Sequence, residues 1–493
     1  MGVVLTQVDS GDLIEARREH LNALRDLGHE PYGEAFEVTH TAKAVRDCID
    51  QLGEHAVSVA GRIMAIRTHG KIIFADLKDQ SGQIQLYFRK QTVGDSIWAQ
   101  LELLDIGDIV GVAGEPFVTR MGEPSVRVNA FSFLSKCLRP LPEKWHGLTD
   151  IDLRYRQRYV DLMVNDSARE VFVARSRIVS AMRRYLEDRG FLEVETPMMS
   201  TIAGGATAKP FVTHHNALDL DLYLRIATEL HLKRVVVGGL ERVYEIGRVF
   251  RNEGISTRHN PEYTLLELYQ AYGDYEDMMS LTESMVAHLA ETITGSTRVE
   301  FLDHEIDYSP PWERLRMVEA LEARGIDIGE WISAEQAIAG ARRLGVEVPS
   351  DISRGKAVEK VVEALVLPDL IQPTFLLDHP VDISPLAKQK PEAPDYTFRF
   401  EPVIAGMEIG NAFSELNDPD EQRSRFEGQL KQRQRGDEEA HVMDEDFIRA
   451  LEYGMPPAGG LGIGVDRLVM LLTNSESIRD VILFPLMRPK ETE

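Results

Sequence analysis

The stretch RVYEIGRVFRNEGISTRHNPEYTLLELYQAY, residues 242–272, decides the fold of the larger part of this chain. An apolar run enters a polar loop at Arg251, and a second apolar run begins at Thr264. This pattern predicts two antiparallel strands joined by a long loop. The loop carries side chains suited to an anion bound at the mouth of a hairpin: Arg251, Glu253, Arg258 and His259.

Composition limits the class of protein. The chain has 493 residues, more than one domain normally holds, and is 43% hydrophobic and 27% charged, as is ordinary for a soluble globular protein. Its two cysteines, Cys48 and Cys137, form neither a disulfide framework nor a zinc pattern, which predicts a reducing compartment, the cytoplasm. The sequence shows no signal-peptide pattern and no run as long as a membrane span, so neither is expected.

The net charge of −25 argues against a general nucleic-acid binder, because phosphate neutralisation needs a basic surface. A structured RNA is still compatible with this charge, since local basic patches matter more than the sum.

The pattern of apolar residues divides the chain into three parts. We expect a helical extension over 1–55, a β-barrel over 56–140 and a larger domain over 141–493 that contains a helical insertion at about 300–375. Five short strands with glycine turns in the second part predict an OB-fold, although a generic five-strand or SH3-like barrel fits the pattern equally well. The run 140–150 is expected to be a linker.

The larger domain is predicted to be α+β, with a mainly antiparallel sheet packed by helices. A long helix over 168–190 precedes GFLEVETPMM, residues 190–199, a short strand expected to end at Pro197. Near the C-terminus, GGLGIGVDRLVMLL, residues 459–472, combines glycines, which permit close backbone approach to a ligand, with Arg467, whose guanidinium can stack on an adenine ring.

In this order, the helix and strand ending in proline, the arginine-bearing hairpin and the glycine-rich strand with Arg467 resemble motifs 1, 2 and 3 of class II aminoacyl-tRNA synthetases. The match covers nearly the whole chain. It implies a homodimer, with motif 1 and Pro197 at the interface. It also implies that Arg251 and Arg467 are the catalytic arginines.

Two carboxylates, Glu401 and Glu408, flank the apolar turn in FEPVIAGMEIGN, residues 400–411. Facing one cavity across a hairpin, they would bind Mg²⁺ beside a triphosphate. An unpaired charge among apolar residues is costly, which favours this interpretation over solvated surface glutamates. The resemblance assigns both residues to the catalytic Mg²⁺.

Three of the residues expected in the amino acid pocket are acidic: Glu229, Glu267 and Glu415. Arg251 is the one basic residue expected there. Carboxylates hydrogen-bond an ammonium strongly, so such a pocket suits a cationic side chain. The stretches that carry these glutamates, LRIATELHLKR (224–234), LLELYQAY (265–272) and GNAFSELND (410–418), resemble the lysyl branch of the class II family.

The resemblance implies a role for each matching position. The lysine α-ammonium would lie at Gly205 and Glu229, the carboxylate at Arg251 and Asn411, the aliphatic stem at Phe413, and the ε-ammonium at Glu415, Tyr269 and Glu267. For ATP, Tyr263 and Arg467 would enclose the adenine, with Glu253 and Asn260 near its edge, His259 near the terminal phosphate, Arg251 at the α-phosphate, and Glu401 and Glu408 at the metal.

In the barrel, Phe74 and Gln85 lie on adjacent predicted strands. An aromatic residue in a strand is ordinarily core, and we expect that for Phe74 on pattern alone. The resemblance instead places Phe74 on the RNA face, stacking an anticodon base whose edge bonds to Gln85. Arg62 and Glu123 are weaker candidates for the same surface.

The resemblance implies a lysine–tRNA ligase that uses L-lysine, ATP and tRNA(Lys). One alternative is the same chemistry with aspartate or asparagine. Another is a tRNA-binding relative without catalytic activity, although such a protein should have lost some of the charged residues that are present here.

Overall fold

The computed structural model describes residues 10–53, 55–142, 148–202, 204–206, 208–434 and 440–489. The chain divides into two compact units, Met1–Thr149 and Asp150–Glu493. Part of the expected linker, residues 143–147, lies outside the described residues.

The first unit is built on a closed β-barrel. Its helices are α1 (Ser10–Asp26), α2 (Ala42–Asp47), α3 (Ile49–Leu52) and α4 (Lys90–Leu101), and its strands are β1 (Val57–His69), β2 (Ile72–Lys78), β3 (Gln83–Arg89), β4 (Ile109–Val118) and β5 (Pro124–Ser135). The strands close in the order β1-β2-β3-β5-β4, in which β3 and β5 are parallel. Within the described part, this is the five-stranded barrel expected from the sequence.

Alternation along the barrel strands separates core from surface. In β2, Ile73, Ala75 and Leu77 are buried, and in β3 Ile84, Leu86 and Phe88 are buried. The residues between them face outward, because successive side chains of a strand point to opposite sides.

The second unit begins with helices α5 (Ile151–Arg156), α6 (Arg158–Val164) and α7 (Asp166–Glu187). Its further helices are α8 (Glu229–Val237), α9 (Tyr275–Thr294), α10 (Met317–Glu322), α11 (Ala334–Arg343), α12 (Arg354–Leu365), α13 (Pro419–Gln434), α14 (Glu445–Glu452), α15 (Val465–Leu472) and α16 (Ile478–Val481). Short 3₁₀ turns span Leu367–Asp369 and Val381–Ile383.

The strands of the second unit are β6 (Leu192–Glu193), β7 (Met199–Ser200), β8 (Val212–His215), β9 (Leu220–Leu224), β10 (Arg242–Phe250), β11 (Glu262–Ala271), β12 (Arg298–Phe301), β13 (His304–Asp307), β14 (Glu313–Arg316), β15 (Thr374–Leu377), β16 (Gln389–Lys390), β17 (Ala393–Thr397), β18 (Arg399–Ile404), β19 (Met407–Glu408), β20 (Gly410–Ser414) and β21 (Ala458–Gly464).

The main sheet of this unit runs in the order β14-β15-β18-β20-β21-β11-β10-β6, with β19 paired to β18. Only its two edge pairs, β14 with β15 and β10 with β6, are parallel among the described strands. Helices α7, α9 and α15 cover one face, where they form the main apolar core with the sheet. The α+β class with a mainly antiparallel sheet is therefore confirmed.

The hairpin predicted from residues 242–272 consists of β10 and β11, which pair from Arg242 with Gln270 to Phe250 with Glu262. The strand expected to end at Pro197 is shorter than expected and ends at Glu193. Beyond it, the Val194 N–H still donates to Tyr244 O of β10 at 2.9 Å, and the Thr196 N–H and hydroxyl donate to the Glu245 carboxylate at 3.1 and 2.7 Å.

Across the described ranges, no helix is both long and apolar enough to cross a bilayer.

Candidate active site

A strand without side chains on one face forms the floor of the site. In β21, Leu461 and Ile463 point into the core, while Gly460, Gly462 and Gly464 lie on the opposite face. An ideal Cβ on Gly460 would come 2.0 Å from Glu415 Oε1 and 2.6 Å from Tyr269 Cε1, so only glycine fits there.

The neighbouring strands β11 and β20 supply walls on either side of this floor, so the site has the form of a trough. Opposite Gly460 lie Tyr269 of β11 and Phe413 of β20, and opposite Gly462 lie Glu267 and Asn411. The structure therefore brings together four residues predicted for lysine binding, because β21 pairs with both strands that carry them.

One end of the trough is cationic. Arg251, directly after β10, is half-buried with its guanidinium carbon 5.4 Å from the Tyr263 ring centre. Among the described residues its Nε has no hydrogen-bond partner, so this donor is available to an anion. Its backbone N–H donates to Pro261 O at 2.8 Å, which closes the base of the loop.

The second arginine, Arg467, enters from the first turn of α15. It donates to the Glu408 backbone carbonyl and lies 3.6 Å from that residue's carboxylate. Its other nitrogen donates to His259 Nε2 at 3.2 Å. Burial and the Arg467 guanidinium lower the pKa of His259, so this imidazole is neutral at pH 7.

A buried network fixes the start of α15. The Asp466 carboxylate accepts from Arg175 of α7 and from the Thr264 backbone N–H, both at 2.6 Å. Arg175 also donates to the Thr264 hydroxyl at 3.0 Å. This network ties the helix of motif 1 to strand β11 of motif 2 and to helix α15 of motif 3, and the sequence reasoning missed Arg175.

Two further ATP candidates, Asn260 and Glu253, lie around the hairpin loop. Asn260 is buried, its Nδ2 donates to Glu262 O at 2.7 Å, and its Oδ1 has no partner in the described structure. Glu253 is exposed on the loop, and its backbone N–H donates to Arg251 O at 2.8 Å. Arg258, expected from the sequence to suit a bound anion, donates to Gly406 O at 3.1 Å and so joins the loop to the β18–β19 turn.

Glu401 and Glu408 come together as expected. Val403 pairs with Glu408 across the β18–β19 turn, and Glu401 lies two residues from Val403 on the same face. Burial first, and then the Glu408 charge, raise the pKa of Glu401 to about 8 although Arg399 opposes the shift. Two carboxylates that disfavour each other's charge fit a divalent cation, which would relieve their repulsion.

Within the described ranges, no three or more His, Cys, Asp or Glu side chains are grouped to hold a metal ion. The two glutamates therefore suit a cation whose remaining ligands come from phosphate oxygens and water, as is usual for Mg²⁺.

Arg399 is a site residue that the sequence reasoning missed. Its guanidinium donates to Glu401 Oε1 at 2.6 Å and to Asn411 Oδ1 at 2.8 Å, so it bridges a predicted metal ligand and a predicted lysine contact. Its position two residues before Glu401 on one strand was the available signal, since such residues share a face.

The other end of the trough is acidic. Glu229 begins α8, and Gly205 approaches it so closely that a Cβ there would lie 3.3 Å from Glu229 Cβ. Gly205 has φ +91°, a conformation that suits glycine. The two residues predicted for the α-ammonium are therefore adjacent.

Glu415 is only 1% exposed, but it does not face an empty pocket. Lys233, one turn after Glu229 on α8, forms an ion pair with Glu415 and donates to Glu229 Oε1 at 2.6 Å. The expectation that Arg251 is the one basic residue of this pocket is therefore wrong. The i, i+4 spacing of Lys233 from Glu229 was visible in the sequence.

Glu267 occupies the middle of this end. Its Oε2 accepts from the backbone N–H of Thr228 at 2.8 Å and from the Thr228 hydroxyl. Burial raises its pKa to about 7, although the Thr228 bonds oppose the shift. Phe413 and Tyr269, both buried, lie beside these carboxylates.

In the barrel, Phe74 lies on the outer face and is half-buried, so the pattern-based expectation of a core residue is wrong. Its ring is 5.3 Å from Tyr87, which is 5.7 Å from Phe117. Tyr87 and Phe117 were missed, although the period of two in β3 places Tyr87 on the outer face.

The other barrel candidates occupy different positions on this surface. Gln85 pairs with Asp76, on the same face as Phe74, and its Oε1 accepts from the Ser125 hydroxyl at 3.0 Å. Arg62 pairs with Lys78, four residues from Phe74, and donates to Gly107 O at 2.7 Å. Glu123 is exposed just before β5.

Comparison with known proteins agrees with this geometry. Residues 150–488 match the family described as tRNA synthetases class II (D, K and N), and residues 57–134 match the OB-fold nucleic acid binding domain. A lysine–tRNA ligase of Moorella thermoacetica is 61% identical over 481 residues, which are 97% of this chain and 98% of that relative. This chain belongs to the class II lysine–tRNA ligase family.

Other members of the family are similarly close. Relatives with the same name from Pelotomaculum thermopropionicum and Bacillus subtilis are 59% and 55% identical over 98% and 97% of the chain, covering 96% and 98% of their own lengths. Membership confirms the resemblance read from the three motifs, and the OB-fold match decides between the barrel types that the strand pattern left open.

Proposed function

We propose that this chain activates L-lysine with ATP and transfers it to the 3′ end of tRNA(Lys). The observation that carries the proposal is the polarity of the trough, whose end at Glu229, Glu267 and Glu415 is acidic and whose end at Arg251 and Arg467 is cationic. Lysine has an ammonium group at each end of its aliphatic stem and one carboxylate. An arrangement of this polarity would direct that carboxylate toward the arginines.

In the first step, a lysine carboxylate oxygen attacks the α-phosphorus of ATP. The new carboxylate–phosphorus bond forms as the bond to the β-phosphate oxygen breaks, and pyrophosphate leaves with its electron pair. Arg251 would meet both reactants, and Asn411, oriented by Arg399, would hold the lysine carboxylate. Catalysis comes from positioning and charge stabilisation, without a side-chain nucleophile.

In the second step, the terminal ribose hydroxyl of tRNA attacks the carbonyl carbon of lysyl-adenylate. The ester bond forms, AMP leaves, and the hydroxyl proton is released. The carboxylates at the acidic end would keep the lysine in place through both steps, since neither of its ammonium groups changes.

Glu401 and Glu408 would hold Mg²⁺, which neutralises phosphate charge when bound. When no Mg²⁺ is bound, Arg399 would keep Glu401 oriented, because the Arg399 guanidinium donates to Glu401 Oε1. Arg467 would perform the same task for Glu408 through its contacts with the backbone carbonyl and the carboxylate.

We further propose that the outer barrel face at Phe74 and Gln85 binds the anticodon, and that Arg62 and Glu123 border it. The protein would work in the cytoplasm as a homodimer. Exposed apolar side chains in and beside motif 1, at Leu192, Met198 and Met199, support a buried dimer surface there.

ATP–pyrophosphate exchange measured separately with each amino acid tests the proposal. Exchange with lysine alone is the expected result. Exchange with aspartate or asparagine would contradict the assignment of the acidic end. Absence of exchange with all amino acids, in folded protein, would favour a tRNA-binding relative without catalytic activity. Light scattering on the same sample measures the subunit number.

A further inference from the structure

One lysine of the protein lies at the acidic end of the site. The Lys233 side chain is fully buried in α8, with its ammonium hydrogen-bonded to Glu229 Oε1 at 2.6 Å and ion-paired with Glu415 Oε2. The ammonium is also 5.3 Å from the ring centre of Phe413 and 6.0 Å from that of Tyr269. A protein lysine thus contacts the same groups that are proposed to receive the substrate lysine.

Each carboxylate uses only one oxygen in this contact. Lys233 meets Oε1 of Glu229 and Oε2 of Glu415, and Glu415 Oε1 has no hydrogen-bond partner in the described part of the chain. That free oxygen lies on the trough side, because an ideal Cβ on Gly460 of the floor would be 2.0 Å from it. A second ammonium therefore has an acceptor that Lys233 does not occupy.

Lys233 is also needed to balance the charges at the acidic end of the trough. When all three are ionised, which for Glu267 requires a pH above about 7, Glu229, Glu267 and Glu415 carry three negative charges and Lys233 one positive charge, which leaves two. The two ammonium groups of bound lysine cancel these two charges, while Arg251 meets its carboxylate. Without Lys233, one negative charge would remain buried and unpaired in the complex, an expensive state.

Among the described residues, the Arg399 charge also acts on Glu229, but less than that of Lys233, and the Arg399 guanidinium is bonded to Glu401 and Asn411. His441 is buried nearby, and its pKa is lowered to about 4 by burial and by the Lys233 charge, so it is neutral. Tyr269 and Phe447 present rings to Lys233. Arg234, the next residue of α8, is turned away and pairs with Asp444 at 2.8 Å.

We propose that Lys233 is a positioning residue for amino acid selection, a resident cation that bridges Glu229 and Glu415 and thereby sets the spacing between the acceptors for the α-ammonium and the ε-ammonium. This proposal rests on the proposed lysine activation. The site would then select an amino acid by the distance between its two amines as well as by their charge. A shorter diamino acid such as ornithine meets one acceptor and falls short of the other.

The test compares Lys233→Met and Lys233→Arg with the full-length wild-type protein in ATP–pyrophosphate exchange. Lysine KM, ATP KM and the pH dependence of lysine use are measured, and ornithine serves as the competing substrate. For Lys233→Met we expect at least a tenfold rise in lysine KM at pH 7 with ATP KM unchanged. We also expect lysine use to begin falling at a higher pH, because carboxylates without their cation hold protons more tightly.

Lys233→Arg keeps the charge and changes the spacing. We expect it to retain the wild-type pH dependence while its preference for lysine over ornithine falls severalfold. This variant also serves if Lys233→Met does not fold. Lys390→Met is the matched control, since Lys390 is likewise buried, pairs with Asp378 at 2.5 Å and lies near two aromatic rings, and we expect wild-type lysine KM from it.

The outcomes separate the two hypotheses. A wild-type protein that does not exchange with lysine would overturn the proposed function itself. A wild-type protein that does, together with folded Lys233 variants whose lysine KM, pH dependence and ornithine discrimination are all unchanged, would overturn the role of Lys233 alone. An equal rise in lysine KM in Lys233→Met and Lys390→Met would also overturn it, because the loss of any buried ion pair would then explain the rise.

Discussion

Replacement of Glu415 by Gln examines the charge complementarity of the site most directly. The substitution keeps the size of the side chain and one acceptor oxygen but removes the negative charge. In the structure, Glu415 is 1% exposed, so solvent screens its charge very little. Its Oε2 is paired with Lys233, and its Oε1 is the free oxygen proposed to receive the substrate ε-ammonium.

The expected magnitude follows from these contacts. Breaking one partner of a buried charge pair costs about 3–5 kcal/mol. The lower end applies here because Lys233 keeps its bond to Glu229 and the glutamine carbonyl oxygen still accepts a hydrogen bond. About 3 kcal/mol corresponds to roughly a 150-fold loss, since every 1.4 kcal/mol is about tenfold.

Steady-state ATP–pyrophosphate exchange with varied lysine and then varied ATP measures the effect. We expect the lysine KM of Glu415→Gln to rise on the order of 100-fold and the ATP KM to stay within about twofold. Glu283→Gln is a matched control, because Glu283 is also a buried carboxylate but accepts from the Trp312 N–H in the main core. Unchanged lysine KM and kcat in folded Glu415→Gln would place the specificity pocket elsewhere and refute the reasoning.

Four further outcomes are expected. Arg251→Ala should reduce exchange by about two to three orders of magnitude without unfolding, as for loss of a comparable oxyanion donor; a folded variant with normal exchange would contradict this. Phe74→Ala should weaken tRNA charging by the ~1–3 kcal/mol of one stacked base and leave exchange intact, whereas Phe88→Ala, in the barrel core, should lower the melting temperature instead. Because the pKa of Glu267 is raised to about 7, its carboxyl is neutral below that pH and cannot attract an ammonium, so kcat/KM for lysine should fall as the pH drops through 7; a profile flat from pH 6 to 8 would contradict this. Gly460→Ala should lower exchange more than about 100-fold in a folded protein, since its Cβ would meet Glu415 and Tyr269; near-normal activity would mean that the strands can separate.

The sequence predicted those features that depend on local pattern. The hairpin was readable because two apolar runs flank a polar loop, and the barrel because five short strands alternate between turns. The position of Glu401 relative to Glu408 followed from the hairpin expected there, since a two-residue turn between strands places side chains an odd number of residues apart on one face. The roles of individual residues rested on resemblance to the family, because composition alone cannot say which glutamate faces a ligand.

Features that depend on packing between distant segments were not predictable. Lys233 was passed over because helical spacing gives the face of a residue but not its depth, and a lysine is ordinarily expected at the surface. On pattern alone, Phe74 was expected in the core for the same reason, and only the resemblance placed it on the outer face. Arg175 acts through Asp466 and Thr264, two segments that only the fold brings close. The spacing of Arg399 from Glu401 was visible in the sequence, but its bond to Asn411 depends on the order of the strands.

The bare face of β21 has a consequence for the length of what can bind. From Gly460 to Gly464 is four residues, about 13 Å at roughly 3.3 Å per residue in an extended strand. The acidic end begins at the first of these glycines, and Arg467 follows shortly after the last. Under the proposed function, the hydrogen-bonded backbone of β21, which cannot stretch, would fix the distance between the lysine ε-ammonium at the acidic end and the adenine at Arg467. A gain or loss of one residue in β21 would turn Leu461 and Ile463 out of the core and into the trough. The length of the glycine face therefore cannot change by one residue without disrupting the core.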